Sequence, residues 1–338
     1  MLYCVPAVLT GHEQVITDYS KHAVDVFCDL TFSHITYTGS LSILNTPIHG
    51  ENITILDGVP LPSWVVDLTQ GASFRLGASG KHDNLATTAI LYQAGIPESE
   101  IELQNLLARW PCQRPTSRTL SLGGARLDRI RELVPLANWS RLKTLEDYRR
   151  AFAVAFPLKI LPSFYSESAI DAFWRTLVCD YHCSGKRRID HSDLTTFGYA
   201  FRSIMGMKEG AMPTKVHNPN SMPSHEAAVE DLSADVEAAK QNILNGFGIG
   251  RIQAFGYTTS GHMGMFPYGA RGGDEICVFW GAETPYVIRA IESSQSVSES
   301  GGEEFKLIGP AYVHGWMDGE VFRWLEEGRV IAENFSLV

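Results

Sequence analysis

The chain contains 338 residues, of which 44% are hydrophobic and 20% are charged. These proportions exclude a disordered chain and fit a globular protein of two or three packed units. A formal net charge of −10 argues against a general binder of nucleic acid or of anionic membranes, because such proteins need clustered lysine and arginine. We therefore predict no nucleic-acid partner.

Cysteine usage and the apolar runs predict a cytoplasmic protein with reduced thiols. Six cysteines occur without a repeated spacing in a chain that is too long to need disulfide staples. The N-terminus lacks the basic region of a secretion signal, since the first lysine is Lys21. No window approaches the roughly 18 uninterrupted apolar residues of a membrane helix, so no membrane span is expected.

A helix and an extended segment are predicted near the start of the chain. Apolar residues from Ala23 to Ile35 recur every three or four positions, which predicts a helix capped near Ser20. Between Val59 and Asp67, two prolines restrict the residues before them to extended backbone. This stretch is therefore predicted to be an edge strand.

Helices and a linker are predicted in the middle of the chain. One helix has a broad apolar face around Phe173, with Ser166 as its N-cap. Further helices are predicted over residues 193–205 and 224–246. Between these two, the proline, glycine and asparagine content of residues 208–224 indicates an exposed linker.

Beyond Gly246 the hydrophobic pattern alternates with a period of two, which is typical of strands. Turn-forming clusters separate five short strands, and closing such strands as a small antiparallel barrel removes exposed edges. The predicted strands cover residues 251–257, 262–266, 275–280, 285–291 and 305–314. The predicted fold class is therefore α+β, with a mixed region of helices and short strands followed by a small antiparallel β-barrel-like C-terminal module.

Residues 311–320 have the sequence AYVHGWMDGE, in which a β run stops at a polar corner flanked by glycines. This run resembles the YVHGxMDGE signature near the C-terminus of fungal heterokaryon-incompatibility (HET domain) proteins. Residues 17–21 are similar to the family's PDYSK helix start, and residues 61–68 to its LPSWVPDW segment. The chain departs from the usual proline, proline and tryptophan of these motifs at Thr17, Val66 and Leu68.

The resemblance extends through the rest of the chain. Residues 120–124 and 126–133 are similar to the family's strand followed by a DxI helix, and residues 173–180 are similar to its RTLxxD helix. Several glycines and an aspartate after residue 263 match its C-terminal module. The family motifs imply structural roles for Asp18, Tyr19, Ser20, Trp64, Arg175, Asp180, Gly273, Asp274, Gly281, Tyr312, Gly315, Met317 and Gly319.

What the resemblance implies is intracellular non-self recognition that ends in programmed cell death, with a protein as the partner. The LSYxWG, WIDAxCINQ and WxxRxWxxQE blocks of the HET domain have no counterpart here. We therefore expect residues 1–60 to be a helical remnant of the end of the HET region, residues 61–246 a mixed region, and residues 247–338 the β module. The chain is expected to be a short relative, an N-terminally truncated version or a decayed copy.

The sequence contains no signature of a common catalytic site. It lacks G-x-S-x-G, H-E-x-x-H, phosphate-loop and C-x-x-C motifs. Residues 77–81, GASGK, resemble a phosphate loop only faintly, since the first glycine and the hydroxyl after the lysine are missing. No cofactor is therefore expected.

Cys179, His182, Cys183 and His191 form a cluster of side chains that zinc accepts as ligands. On a continuous helix Cys179, His182 and Cys183 would share one face, which makes these three the candidate metal ligands. The alternative, which we favour, is a structural role, because Cys179 lies within an apolar seam and small buried cysteines are common there.

The corner residues His314, Asp318 and Glu320 are the candidate catalytic residues. If they converge at a strand end, they could form an acid–base pair or bind a divalent ion. The alternative, which we favour, is that His314 and Asp318 satisfy backbone groups in a tight turn, with Gly315 and Gly319 at positive φ.

Two hypotheses of function follow from these patterns. The first is a non-catalytic interaction or scaffold protein of the HET family, and the missing catalytic signatures favour it. The second is an accessory protein or enzyme of a fungal secondary-metabolite pathway, with its site between His314 and Glu320. The oligomeric state is left open.

Overall fold

The computed structural model describes residues 20–45, 54–66, 92–116, 118–134, 152, 167–183, 187–207, 225–246, 253–291 and 303–338. Motif residues Asp18 and Tyr19, the segment 77–81 and the linker 208–224 lie outside these ranges. The helices are α1 Ala23–Thr38, α2 Glu100–Arg109, α3 Ala169–Leu177, α4 Leu194–Met205, α5 His225–Gly246 and α6 Glu320–Glu326, and a 3₁₀ helix spans Ser42–Asn45. The strands are β1 Ile55–Leu56, β2 Val59–Pro60, β3 Gln113–Thr116, β4 Thr119–Val134, β5 Tyr181–His182, β6 Arg187–Arg188, β7 Gln253–Thr258, β8 Met263–Pro267, β9 Glu275–Phe279, β10 Tyr286–Ala290, β11 Glu304–Pro310, β12 Tyr312–Val313 and β13 Ala332–Leu337.

Helix α1 forms where the apolar spacing predicted a helix. Its N-cap is His22, whose ring Nδ1 accepts a hydrogen bond from the Val24 amide at 3.2 Å. The predicted cap at Ser20 is wrong, because the imidazole nitrogen satisfies an orphan amide of the first turn as a hydroxyl would. The helix ends at Gly39, which adopts a φ of 64°.

The three predicted helices of the middle region are confirmed as α3, α4 and α5. Helix α3 begins after Ser168, whose hydroxyl accepts from the Asp171 amide at 3.2 Å, so the predicted cap at Ser166 is wrong. Phe173 of this helix packs edge-on against Phe255 of β7, with ring centroids 5.1 Å apart. None of the helices in the described ranges has the length and apolar character that a membrane-crossing segment needs.

Among the described residues, nine strands form one sheet, and five of them close into a ring. The pairings run from β4 to β13, β11, β10 and β9, and β9 pairs again with β4. All these pairs are antiparallel except the short parallel contact between β11 and β13. The predicted α+β class is confirmed. Of the five strands predicted for the barrel-like module, three enter the ring as β9, β10 and β11, whereas β7 and β8 pair outside it. The sheet also includes β4, which lies outside the predicted 247–338 module.

Alternate residues of the five ring strands belong to one apolar cluster, so they face the inside of the ring. This cluster also includes the 3₁₀ residue Leu44 and the buried face of α1, which therefore cover one side of the ring. Tyr286 donates a hydrogen bond to Asn45 at 2.6 Å, which ties this cover to β10. The inward-facing residues are Leu120, Leu122, Cys277, Phe279, Tyr286, Ile288, Phe305, Leu307, Phe335 and Leu337.

Strand β4 corrects the prediction of a helix over residues 126–133. The strand is continuous from Thr119 to Val134, and its pairing register shifts between Arg126 and Asp128 and again between Ile130 and Glu132. Each bulge inserts an extra residue into the alternation. The three-residue spacing of Leu127, Ile130 and Leu133 therefore places all three against one apolar cluster, as a helix would.

The predicted edge strand over residues 59–67 is shorter than expected. Strand β2 covers only Val59–Pro60 and pairs with β1, and the chain then turns at Ser63 and Trp64. The Trp64 side chain is fully buried, and its Nε1 donates to the Arg118 carbonyl at 2.9 Å. The LPSW motif is thus a buried anchor rather than a strand.

Ser63→Ala should destabilise the fold by about 1–3 kcal/mol. The Ser63 hydroxyl accepts from the buried Leu307 amide at 2.8 Å and donates to the Val338 carbonyl. Alanine would leave that amide without its acceptor. Urea unfolding should show the loss, whereas Ser40→Ala, which removes an acceptor for the part-buried Ser42 amide, should cost less. Equal losses in the two variants would contradict the role assigned to Ser63.

Candidate functional site

The corner that follows β12 is a tight turn between the sheet and helix α6. Gly315 and Gly319 adopt φ values of 85° and 80°, a region that only glycine enters freely. The Met317 side chain is buried, and its carbonyl accepts from the Gln93 amide at 2.8 Å. The two positive-φ glycines and the hydrogen bond from Gln93 therefore fix the backbone of the corner.

His314 is buried in this corner, with only 5% of its surface exposed. Its Nδ1 lies 2.9 Å from the Tyr312 hydroxyl, and its Nε2 lies 2.5 Å from a carboxylate oxygen of Glu167. Glu167 immediately precedes the cap of α3. The two ring nitrogens thus connect the end of the sheet to the start of the helical layer.

Asp180 lies at the centre of an ion network beside His314. Its carboxylate is fully buried and accepts from Arg175 Nε at 2.6 Å and from Arg188 NH2 at 2.8 Å. Arg175 also pairs with Glu167 at 2.8 Å, so the network continues to His314. Burial of a carboxylate is tolerated here because two guanidinium groups neutralise it.

Asp318 and Glu320 occupy the outer end of the network. Asp318 pairs with Arg188, and 57% of its side chain is exposed. Glu320 accepts a hydrogen bond from the Asp318 amide at 2.9 Å. Burial raises the pKa of the Glu320 carboxyl, and the hydrogen bond from the Asp318 amide only partly offsets this effect. The network therefore runs from the buried Tyr312 to the solvent.

The charged groups of the network stabilise one another. Burial alone would raise the pKa of Glu167, but the hydrogen bond and charge of His314, together with Arg175, hold it below its usual value. The pKa of Arg175 is raised, because its bonds to Asp180 and Glu167 outweigh the cost of burial. The pKa of Arg188 is raised as well, because the charges around it, mainly that of Asp180, outweigh the cost of burial. Glu167, Arg175 and Arg188 are therefore charged at neutral pH.

The candidate catalytic residues are directed to different partners. His314 contacts Tyr312 and Glu167, whereas Asp318 pairs with Arg188. Glu320 turns back to the backbone of its own corner. This arrangement joins parts of the fold, and it gives no close acid–base pair among His314, Asp318 and Glu320.

The predicted shared helix face of Cys179, His182 and Cys183 is wrong. Helix α3 ends at Leu177, and Cys179 and Asp180 adopt left-handed φ values of 52° and 55° before β5 begins. Burial raises the pKa of the Cys183 thiol to about 11, which disfavours the thiolate that zinc requires. Within the described ranges, no group of three or more His, Cys, Asp or Glu side chains is placed to hold a metal.

The other motif residues lie in the ring rather than in the network. Asp274 is buried and pairs with Arg289 of β10 at 2.7 Å, which fixes the turn before β9. Gly273 and Gly281 adopt φ values of 93° and 83° at the two ends of β9. Their positions fit a role in turn geometry.

Sequence reasoning missed three members of the site: Tyr92, Glu167 and Arg188. The Tyr92 hydroxyl donates to the Cys179 carbonyl at 2.5 Å, and the Arg188 guanidinium lies 5.6 Å from the centroid of the Tyr92 ring. Each residue lies outside the recognised motifs and has a partner that is 87 or more positions away in sequence. The charged residues Arg175 and Asp180 of the RTLxxD motif lie within an apolar stretch of sequence. They were the available signal that further charged residues would pair with them in the fold.

A second polar cluster lies on the other side of the corner. Asp128 accepts from the Ser260 hydroxyl at 2.6 Å and from its amide at 2.9 Å, which caps the turn between β7 and β8. The Ser260 hydroxyl also lies 2.9 Å from His262 Nδ1, and the His262 ring packs 4.7 Å from the Trp316 ring. Because the hydroxyl and the amide of Ser260 both donate hydrogen bonds to Asp128, the arrangement is a turn cap.

Stability should fall as the pH drops from about 7 to 5, and His262→Gln should reduce this dependence. Burial lowers the pKa of His262 to about 4, although Asp128 opposes the shift. The unfolded chain therefore takes up a proton near pH 6.5 that the folded chain excludes, and folding loses at most about 1.4 kcal/mol per pH unit. Urea titrations at several pH values would measure the slope. Identical slopes in the two proteins would contradict the assignment.

Part of the ring, together with the corner, is similar to a known family of proteins. Residues 225–332 match the family model described as the Het-6 beta-barrel domain. The chain is 25% identical to heterokaryon incompatibility protein 6, OR allele, of Neurospora crassa over 203 residues, which cover 57% of this chain and 28% of that protein. The chain thus matches less than a third of that relative's length. No solved structure matches the chain.

Proposed function

The chain is related to the heterokaryon incompatibility proteins, and from this premise we propose that it is a non-catalytic interaction or scaffold protein of fungal non-self recognition and programmed cell death. It acts in the cytoplasm, and its partner is a protein. The matched residues 225–332 contain the corner, while β4 and the RTLxxD segment, which complete the ring and the network, precede them.

The observation that supports this proposal is the use of the corner's polar groups within the fold. His314 binds Glu167, which precedes the cap of α3. Asp318 binds Arg188 of β6, a strand that is tied to α4 through Arg187 and Asp193. Motif residues that resemble a catalytic set therefore act as a joint between the sheet and the helices. A joint of this kind suits a platform that presents a surface to another protein.

The test is a heterokaryon assay in a fungal host that lacks this chain. Strains carrying wild type, Asp180→Asn or Asp190→Asn are fused with an incompatible strain, and the fraction of dead compartments is counted with a viability dye. Wild type and the Asp190→Asn control should raise cell death several-fold, whereas Asp180→Asn, which disrupts the platform, should not. Equal cell death with and without the chain would overturn the proposal.

A second arm separates this proposal from an enzyme of secondary metabolism. His314→Ala and Glu320→Ala are compared with wild type for stability and for turnover of candidate metabolites by the purified protein. Both variants are expected to be less stable than wild type. Neither variant nor wild type is expected to turn over a metabolite. Turnover by wild type that is lost in a stably folded variant would favour the enzyme.

A further inference from the structure

The junction between α3 and β5 contains two consecutive strained residues. Cys179 and Asp180 are not glycines, yet their φ values are 52° and 55°. Left-handed backbone costs free energy for such residues and persists only where the surroundings enforce it. Both residues are fully buried.

Three side chains hold this junction in place. The Tyr92 hydroxyl donates a hydrogen bond to the Cys179 carbonyl. Arg175 donates to Oδ1 of the Asp180 carboxylate, and Arg188 donates to Oδ2. The backbone adds one further bond, since the Ile189 amide donates to the Asp180 carbonyl at 2.9 Å. Arg188 differs from the other two side chains because it also reaches the corner.

The Arg188–Asp318 pair is the solvent-exposed link of this arrangement. The side chain of Asp318 is 57% exposed, whereas those of Asp180 and Arg175 are 0% and 18% exposed. Strands β5 and β6 are otherwise tied to the helical layer, through Cys183 with Asn242 and Arg187 with Asp193. Loss of the exposed pair would thus free Arg188 from the corner while β5 and β6 stay on the helices.

We propose that the α3–β5 junction is a two-state conformational switch, and that the Arg188–Asp318 pair is the releasable contact that keeps it in the strained state. In the released state Arg188 leaves the Tyr92 ring, and the aromatic pair of Tyr92 and Tyr312, whose centroids are 5.9 Å apart, becomes accessible. The use of this surface for a protein partner rests on the proposed function. The switch itself is a property of the isolated chain.

Hydrogen exchange on the purified protein tests the switch without a partner. Asp318→Asn should speed exchange of the Asp180, Tyr181 and Ile189 amides up to about fivefold, the most that loss of an exposed pair allows, and leave β9 and β10 unchanged. Glu237→Gln, which removes an exposed pair with Lys240 on α5, is the matched control and should behave as wild type. Raising NaCl to about 0.5 M should speed the same amides in wild type but not in Asp318→Asn, because salt screens exposed pairs.

Exchange at these amides that is the same in Asp318→Asn and wild type would overturn the switch. So would faster exchange throughout β9 and β10, since that pattern reports global destabilisation. Neither result depends on a partner. The heterokaryon assay can therefore fail while the switch is supported, and the switch can fail while the assay succeeds.

Discussion

Asp180→Asn is expected to destabilise the protein by about 3–5 kcal/mol, the range observed when one member of a buried ion pair is removed. Asparagine keeps the shape of the side chain and tolerates the left-handed backbone, so the change isolates the charge. Two guanidinium groups, on Arg175 and Arg188, would lose the carboxylate that both contact. The midpoint of urea unfolding, at constant slope, measures the effect.

The matched control is Asp190→Asn, the same substitution near the same pair of strands. Asp190 pairs with Arg187 at 3.0 Å, but its side chain is 56% exposed. Exposed pairs contribute about 0–1 kcal/mol, so this variant should unfold nearly as wild type does. If the two variants were equally stable, the network would not be the joint between sheet and helices that we describe.

Replacing Asp180, Arg175 and Arg188 together tests whether the ion network serves only the stability of the fold or also recognition of a partner. Buried ion pairs often add little stability relative to apolar residues of similar volume. Arg175→Met and Arg188→Met combined with Asp180→Asn should therefore recover part of the stability that Asp180→Asn alone loses, because no buried guanidinium is then left without its carboxylate and Asn tolerates the left-handed backbone. Recovery of stability without recovery of cell death would show that the ion network matters for recognition beyond folding.

The sequence predicted correctly those elements in which the spacing of apolar residues follows the buried face of the element. Helix α1 follows this rule, since its buried residues recur along one face. Strand β4 does not, because its two bulges convert the strand alternation into a spacing of three. A single sequence cannot distinguish that spacing from a helical one.

The site was predictable in its parts but not in its assembly. The motif residues Arg175, Asp180, Tyr312, His314 and Asp318 do meet in one network. Glu167 and Arg188, which connect them, lie 147 and 130 positions from His314 and Asp318, respectively. Local patterns carry no information about pairing over such distances, and nothing in the sequence marks the left-handed residues that end α3 early.

Gly124→Ala should open the ring and cost on the order of 3 kcal/mol, the upper end for overpacking a core. Gly124 lies where β4 pairs with β9, and an added Cβ would sit 2.3 Å from the Val278 carbonyl oxygen. That oxygen belongs to the backbone, so the strands must separate. The β4–β9 pairing is the one that closes the ring, and the stability of the barrel therefore depends on it.

Gly272→Ala provides the control for this prediction. Its added Cβ would meet the Arg131 carbonyl at 3.3 Å, a contact that small shifts relieve. Hydrogen exchange should accelerate in β9 and β10 of Gly124→Ala before it does in β7 and β8, because β7 pairs with the far half of β4 and β8 pairs with β7. Equal stability of the two variants would mean that β9 reaches β4 too loosely to close the ring. The barrel would then be an open sheet held by its apolar interior alone.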